Sequence, residues 1–415
     1  MTTKLPLPRD FFRCPPLSAS DTEAFKKLSR RASTELAICA RLTKGPIEWT
    51  EDVTEPGLVM YAGVDSAGTD VFTYASVTDV NGTLDEVAAM FYAATGSTEH
   101  SRHPAKHILD SHRLYTVVKP SPAFPRHAIH MRWMVMETPM KGLGVVSPRD
   151  FCVLESHHDV ELDSRRGWVR SVVSVELDCC PPLDHVLGFV RGEFLRSGHV
   201  VVETDRPGVL QVTHIVQLDL KLHAPQWMLK RGVRARCRGV LAIDLLLRER
   251  RLSRSGSFLA PAELVAKDSR STCALCHHTF GMLHHKTNCR KCGDVVCSRC
   301  SKIWSVPLLN AVTALRVCTS CSLSASSPTV IGQRGARFTT NSAESTSPRH
   351  RTTTHPSVHV VYYSNRNEDA CNFAQNVRLR AATADNSDIA MLEDSMWRRR
   401  QQSLSSEVDP DGWST

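Results

Sequence analysis

A chain of 415 residues, 41% hydrophobic and 23% charged, is long enough for two or three domains and apolar enough to give each a core. Its formal net charge of +8 suits an anionic surface without choosing among membrane, nucleic acid and acidic protein. No apolar run approaches the roughly twenty residues that span a bilayer, and the opening MTTKLPLPRDFF lacks a secretory apolar stretch, so the chain reads as cytoplasmic with reduced thiols.

Residues 1–19 are Pro-rich and are expected to form an unstructured lead-in. A helix follows to about Arg41, capped by Ser20-Asp21, with Phe25, Leu28, Ala32, Leu36 and Ala40 at helical spacing. Residues 58–62 and 71–77 are β-rich and separated by a Gly-containing turn. Thr83 or Asn81 then caps a helix that buries Val87, Met90 and Phe91. Six strands are predicted next, over 113–118, 127–136, 151–158, 168–177, 198–204 and 209–220. In the last of them Val209, Gln211, Thr213, Ile215, Gln217 and Asp219 alternate with Leu210, Val212, His214, Val216 and Leu218. Such alternation predicts an antiparallel sheet with one covered face. A single long helix, from Pro225 to about Arg250, closes the region.

The order of helix, two strands, helix, several strands and long final helix is an α+β arrangement. Ser147-Pro148-Arg149-Asp150-Phe151, the segment 213–221 and Pro225-Gln226-Trp227 resemble motifs of the START lipid-binding domains, which have the helix-grip fold. The resemblance spans about residues 20–250. It implies a curved antiparallel sheet on a long C-terminal helix, enclosing a cavity for one hydrophobic lipid or sterol. Arg132, Glu137, Arg149 and Glu176 are candidates for touching a headgroup inside it, with satisfied structural or surface polar groups as the plainer reading. The bland alternative is a scaffold whose cavity is filled by its own side chains.

Residues 251–267 read as a basic linker in which arginines alternate with Ser253, Ser255 and Ser257; phosphate there would lower the local positive charge. Eight of the fifteen cysteines then fall in four C-x-x-C pairs: Cys273/Cys276, Cys289/Cys292, Cys297/Cys300 and Cys318/Cys321. Each pair turns two thiolates onto one tetrahedral ion, so eight ligands predict two structural Zn2+ with no open position for catalysis. Only four residues separate the middle pairs, which favours an interleaved cross-brace over sequential sites. About fifty residues with few large apolar side chains cannot hold a core unaided, so metal binding is folding energy here. Cys14, Cys39, Cys152, Cys179, Cys180, Cys237 and Cys371 show no framework spacing.

The four pairs, Cys289-Arg290-x-Cys292-Gly293 and Arg316-Val317-Cys318 resemble the FYVE zinc fingers of endosomal membrane proteins, here over residues 268–323. The resemblance implies a basic segment that binds phosphatidylinositol 3-phosphate. Lys286 and Arg290 match it, Thr287 and Asn288 replace two family histidines, and Asp268 stands where an upstream aspartate is expected, with Val265 in place of tryptophan. Between Arg270 and Ser322 there are seven Lys/Arg against one acidic residue, Asp294. Lys286, Arg290 and Lys291 cluster beside His285, and each base near a surface attracts anionic headgroups by about 1 kcal/mol. Met282 and Leu283 suit a membrane-inserting tip and equally suit a small finger core.

Residues 324–415 are Ser/Thr-rich and expected to be disordered, with 358–363 a weak candidate interaction strand and 388–400 a candidate partner-bound helix. No Gly-rich phosphate loop, nucleophile elbow or H-E-x-x-H is present, so an enzyme is the least supported class. No recognition helix suggests nucleic acid. A RING-type ligase would need a histidine ligand and a shorter gap between the middle pairs. The expected function is a non-enzymatic adaptor or lipid-transfer protein, peripheral on endosomal or other intracellular membranes. The alternative keeps the finger as a module that binds a small GTPase or another protein partner, without phosphoinositide specificity.

Overall fold

Helix α1 (Ala19–Cys39) begins at a capping box, in which Ser18 Oγ accepts from the Asp21 N–H and Asp21 Oδ2 accepts in return from the Ser18 N–H. The cap therefore lies two residues ahead of the expected one. The computed structural model describes residues 5–65, 71–94, 108–137, 147–222, 224–255, 257–281, 285–308 and 311–324; the candidate tail elements at 358–363 and 388–400 fall outside them. After α1 come β1 (Ile47–Glu55), β2 (Leu58–Asp65), β3 (Thr73–Asn81), α2 (Leu84–Ala94), β4 (Ile108–Val118), β5 (Ala128–Met136), β6 (Arg149–Leu162) and β7 (Arg165–Ser174). Then follow α3 (Asp184–Leu187), β8 (Val190–Arg191), β9 (Glu193–Phe194), β10 (Ser197–Glu203), β11 (Val209–Asp219), α4 (Gln226–Cys237), a 3-10 turn (Arg238–Leu241) and α5 (Ala242–Arg254).

The main path of the sheet runs β1-β2-β3-β11-β10-β7-β6-β5-β4, antiparallel throughout. Both of its faces are covered, not one. On the outer face Phe25 and Leu28 of α1 pack with Ile129, Met131, Trp133 and Leu154. On the inner face Val87 and Phe91 of α2 and Ile243 and Leu247 of α5 pack with Trp168, Val201 and Val212. The polar alternation of β11 misleads because polar side chains on this sheet, Gln217 of β11 among them, are buried and bonded rather than wet. Gln217 Nε2 donates to Asp65 Oδ2 and Thr73 Oγ1, each at 3.1 Å, and Ser33 and Ser171 meet at 2.9 Å beneath α1.

Three further expectations change. The lead-in is ordered from residue 5: Leu7 is buried, its N–H donates to Asp110 Oδ2 at 2.6 Å, and Phe12 lies 5.2 Å from Trp133. Five apolar side chains, Leu5, Leu7, Phe11, Phe12 and Leu17, outweigh the prolines there. The final helix is broken by the 3-10 turn that contains Gly239, and it runs on to Arg254. Its extra turn is held by Arg251, bonded to Glu86 at 2.5 Å and to the Asn81 carbonyl at 3.0 Å. Strand β1 was not expected, because IEWTEDVTE is too acidic to read as a strand. Its Asp52 and Glu55 pair with Arg234 and Arg238 at the end of α4.

Gly198 on β10 has φ +148°, and a Cβ there would stand 1.9 Å from the Arg170 carbonyl oxygen and 2.8 Å from Leu36. Gly198→Ala should therefore destabilise the fold by about 2–3 kcal/mol through overpacking against backbone. A urea midpoint unchanged from wild type would contradict this.

Candidate functional site

The small C-terminal region is built from two hairpins and a short helix: β12 (Lys286–Asn288) with β13 (Val295–Cys297), β14 (Ser301–Leu308) with β15 (Ala311–Cys318), and α6 (Thr319–Ser324). Register explains the interleaving of the cysteines. β12 ends against Cys289, β13 ends at Cys297, and Ser301 pairs with Cys318, so alternate C-x-x-C pairs arrive at the same place. Cys273, Cys276, Cys297 and Cys300 bring their sulfurs within 4.8 Å of one another, and Cys289, Cys292, Cys318 and Cys321 do the same. Each cluster can hold one zinc ion. Backbone amides support the thiolate form: Leu275 and Cys297 donate to Cys273 Sγ at 3.5 and 3.3 Å, and Lys291 and Cys318 to Cys289 Sγ at 3.4 and 3.3 Å.

The basic residues around these clusters do different jobs. His285 is exposed, and the Lys286 ammonium lies 5.7 Å from the Phe280 ring centre. Arg290 is half-buried, its Nε donating to the Leu259 carbonyl at 2.9 Å. Lys291 Nζ donates to Ser255 Oγ at 2.9 Å and to the Ser257 carbonyl at 3.0 Å, and sits 5.4 Å from the Phe258 ring centre. Two of the four expected headgroup residues are thus tied to the segment that follows α5. Thr287 and Asn288 serve the fold: Thr287 Oγ1 donates to the Val296 carbonyl at 2.9 Å, and Asn288 Nδ2 to the Val265 carbonyl at 2.7 Å. Asp268 is exposed, and Met282 and Leu283 lie outside the described residues. Leu252 of α5 is fully buried in the same cluster as Cys273, Cys289, Trp304, Val306 and Val317.

The second candidate site lies between the inner face of the sheet and α4. A cavity of about 250 Å3 is walled by Phe72, Met136, Val216, Leu218, Met228 and Val233. A second, of about 110 Å3, lies against Phe91, Met134, Val172, Phe194, His199 and His214. Met136 and Arg236 line both.

The inner face is polar along one row. His157, Arg170, His199, His214 and Ser76 are successive cross-strand partners over β6, β7, β10, β11 and β3. Next to the row, Glu155 lies 2.6 Å from Arg170 Nε, 3.0 Å from Arg132 Nη2 and 3.1 Å from His157 Nε2. Burial alone would raise the Glu155 carboxyl, but the guanidiniums of Arg132 and Arg170 hold it well below the usual carboxylate range. Burial pushes His130 and His214 down to about 3, so both are neutral.

Of the residues singled out from sequence, Arg132 belongs to this cluster. Glu137 and Arg149 line the larger cavity. Glu176 is exposed. Arg149 and Asp150 do not pair with each other. Arg149 donates to the carbonyls of Ser147, Leu220 and Lys221, while the buried Asp150 accepts from Arg191 and Trp133 Nε1, each at 2.8 Å. Glu155, Arg170, His199 and Arg236 were missed. The signal was a polar residue on the same face of successive strands.

Comparison with known proteins follows the same division. The START domain family model matches residues 114–240, and the FYVE zinc finger family model matches residues 263–327. Solved structures similar to this chain include human StAR-related lipid transfer protein 5, at 17% identity over 55% of this chain and 99% of that one, with a TM-score of 0.45. The human StarD13 (DLC2) lipid transfer and protein localization domain matches at 17% identity over 56% of this chain and 98% of its own, with a TM-score of 0.38. Human STARD10 matches at 10% identity over 58% of this chain and 84% of its own, with the same TM-score of 0.38.

Proposed function

We propose, for a chain that carries a START domain ahead of a FYVE zinc finger, that it is a non-enzymatic adaptor or transfer protein. Its cavity takes one lipid or sterol, and its finger brings it to phosphoinositide-containing membranes, endosomes among them. The observation that carries the reading is the apolar cavity of about 250 Å3 under α4, a concave site with few polar groups. Among the described residues no helix is long and apolar enough to cross a membrane, so contact would be peripheral. The lipid domain would comprise residues 20–250, with the lead-in packed against its outer face, and the finger residues 268–323. The eight clustered cysteines would hold two Zn2+, whose contribution is to fix the finger's fold.

For headgroup contact, the exposed His285 and the half-buried Lys286, beside Phe280, are the bases not bonded to the segment after α5, with Met282 and Leu283 beside them in sequence. Arg290 and Lys291 would first have to leave the segment that holds them. A second reading is favoured by that observation: with those two bases engaged and Thr287 and Asn288 bonded inward, the finger would serve as a contact surface for a protein partner such as a small GTPase.

Co-sedimentation of the zinc-loaded protein with vesicles separates the two. Neutral vesicles should leave it in the supernatant, and phosphatidylinositol 3-phosphate vesicles should pellet it at low salt. Lys286→Ala should weaken binding about fivefold, the worth of one surface base of about 1 kcal/mol. Lys291→Ala should weaken it less than twofold. Binding to no vesicle, with zinc content intact, would overturn the lipid-targeting role and leave the protein-binding one.

A further inference from the structure

The polar cluster on the inner face of the sheet is out of electrical balance. Three guanidiniums, Arg132, Arg170 and Arg236, border the smaller cavity. The carboxylate within salt-bridge distance of the first two is Glu155, shared between them. Arg236 differs from its neighbours on α4. Arg234 pairs with Asp52 and Arg238 with Glu55, both toward β1. Arg236 points the other way, onto the Phe194 ring at 5.6 Å, with Nη2 3.2 Å from the thioether sulfur of Met136. Among the described residues no carboxylate lies within 4 Å of it. Burial draws its pKa down to about 10, still far above neutrality, so the group stays charged. The nearby histidines bring no compensating charge. His199 and His214 are stacked, with ring centres 4.3 Å apart and planes 6° from parallel, and His199 Nδ1 is 3.4 Å from Arg170 Nη1.

A guanidinium held against an aromatic face and a thioether, beside a second one only half-neutralised, is costly without an anion. Its position at the junction of the two cavities places that anion where an occupant of the apolar cavity would end. Arg149, the other cation at the larger cavity, is spent on three backbone carbonyls, and Asp219 there is bonded to Lys221.

We propose that the cavity selects an amphiphile with an anionic polar end, a carboxylate or a phosphate, received by Arg236 with Arg170 beside it. The proposal rests on the lipid-binding reading above and names the charge of the ligand that reading leaves open. Arg132 and Glu155 then act as positioning residues: the carboxylate fixes Arg170, and Arg132 keeps the carboxylate ionised.

The test uses the full, zinc-loaded, delipidated chain and four probes in calorimetric or competition binding: oleate, lysophosphatidate, oleyl alcohol and cholesterol. At least one of the two anions should bind about tenfold or more tighter than oleyl alcohol, the scale of a charge-assisted hydrogen bond in a desolvated site. The ranking of oleate against lysophosphatidate identifies carboxylate or phosphate. Arg236→Met should abolish the preference, bringing the affinities for oleate and lysophosphatidate down to that for oleyl alcohol in the same variant, and Arg236→Lys should keep most of it. A readout free of ligand accompanies these. Removing a half-buried cation with no carboxylate partner should raise the melting temperature of the empty Arg236→Met protein, whereas a structurally bonded arginine would lower it. Equal affinity for oleate, lysophosphatidate and oleyl alcohol in the wild type would overturn the proposal and spare lipid binding. Binding of none of the four would overturn both.

Discussion

Chelating zinc from this protein is expected to unfold residues 268–324 and to free the last turn of α5, without melting the sheet. The region has a small apolar core, in which Val295, Val296, Trp304, Val306, Leu315 and Val317 share space with the cysteines themselves. Structural zinc contributes roughly 10–16 kcal/mol of apparent folding energy in such modules, more than the whole stability of a domain of this size. Cys297→Ser, which removes a buried ligand candidate from the first cluster, should lower the metal content from two zinc ions per chain to one. Hydrogen exchange gives the readout: chelation should deprotect the amides of Val306 and Val317 and, through Leu252, those of the α5 C-terminus, while β5 to β7 stay protected. Protection of Val306 and Val317 that survives chelation would mean the finger does not depend on metal.

Mild acid is expected to destabilise the sheet domain steeply. His130 is 1% exposed and His158 5%, and burial pushes both down to about 3. Above pH 6.5 these imidazoles are neutral folded and unfolded, so they contribute nothing. Below 6.5 the unfolded chain takes up protons that the folded one refuses. Stability then falls by about 1.4 kcal/mol per pH unit for each group. Between pH 6.5 and 5 the pair removes about 3 kcal/mol, a large part of the ~5–15 kcal/mol that a domain possesses. Glu155 adds a further loss only at lower pH. Its depressed carboxyl stabilises the fold above about pH 4.5 and ceases to do so as pH falls toward its folded value. Urea midpoints at pH 8, 6.5 and 5 measure the effect. His130→Met should recover about half of it at pH 5, since neither ring nitrogen of His130 has a hydrogen-bond partner among the described residues. Midpoints that do not change between pH 6.5 and 5 would show that these histidines are not held neutral.

The parts legible from sequence were those whose chemistry is local. A C-x-x-C pair specifies its own turn, so the metal clusters and their interleaving followed from spacing. Helices α1 and α2 and most strands followed from periodicity and caps. What stayed hidden depends on partners remote in the chain. β1 looks like a polar loop until Asp52 and Glu55 meet Arg234 and Arg238, about 180 residues away. Leu7 and Phe12 look like a Pro-rich tail until the outer face of β5 is present to cover them. Lys291 looks like a free base until Ser255 and Ser257 lie across it. The cavity cluster was hidden for another reason. Arg132, Glu155, Arg170 and Arg236 sit on four different elements, and nothing within any one of those segments reveals that two of the three cations share one carboxylate while the third has none within reach.

The burial of Leu252 at the end of α5 has a mechanical meaning. From Gln226 to Arg254 the chain is helical apart from the 3-10 turn, a path of about 45 Å measured along the helix axes. One end roofs the cavity, and the other is clamped inside the finger. A protein on a slack tether can meet a surface in any posture, and only tether length limits its reach. With Leu252 buried among the finger's own residues, the finger is joined to the helix that covers the cavity by packed helical chain and not by a slack tether. Gly239 lies in the 3-10 turn between the half of this path that covers the cavity and the half that ends in the finger.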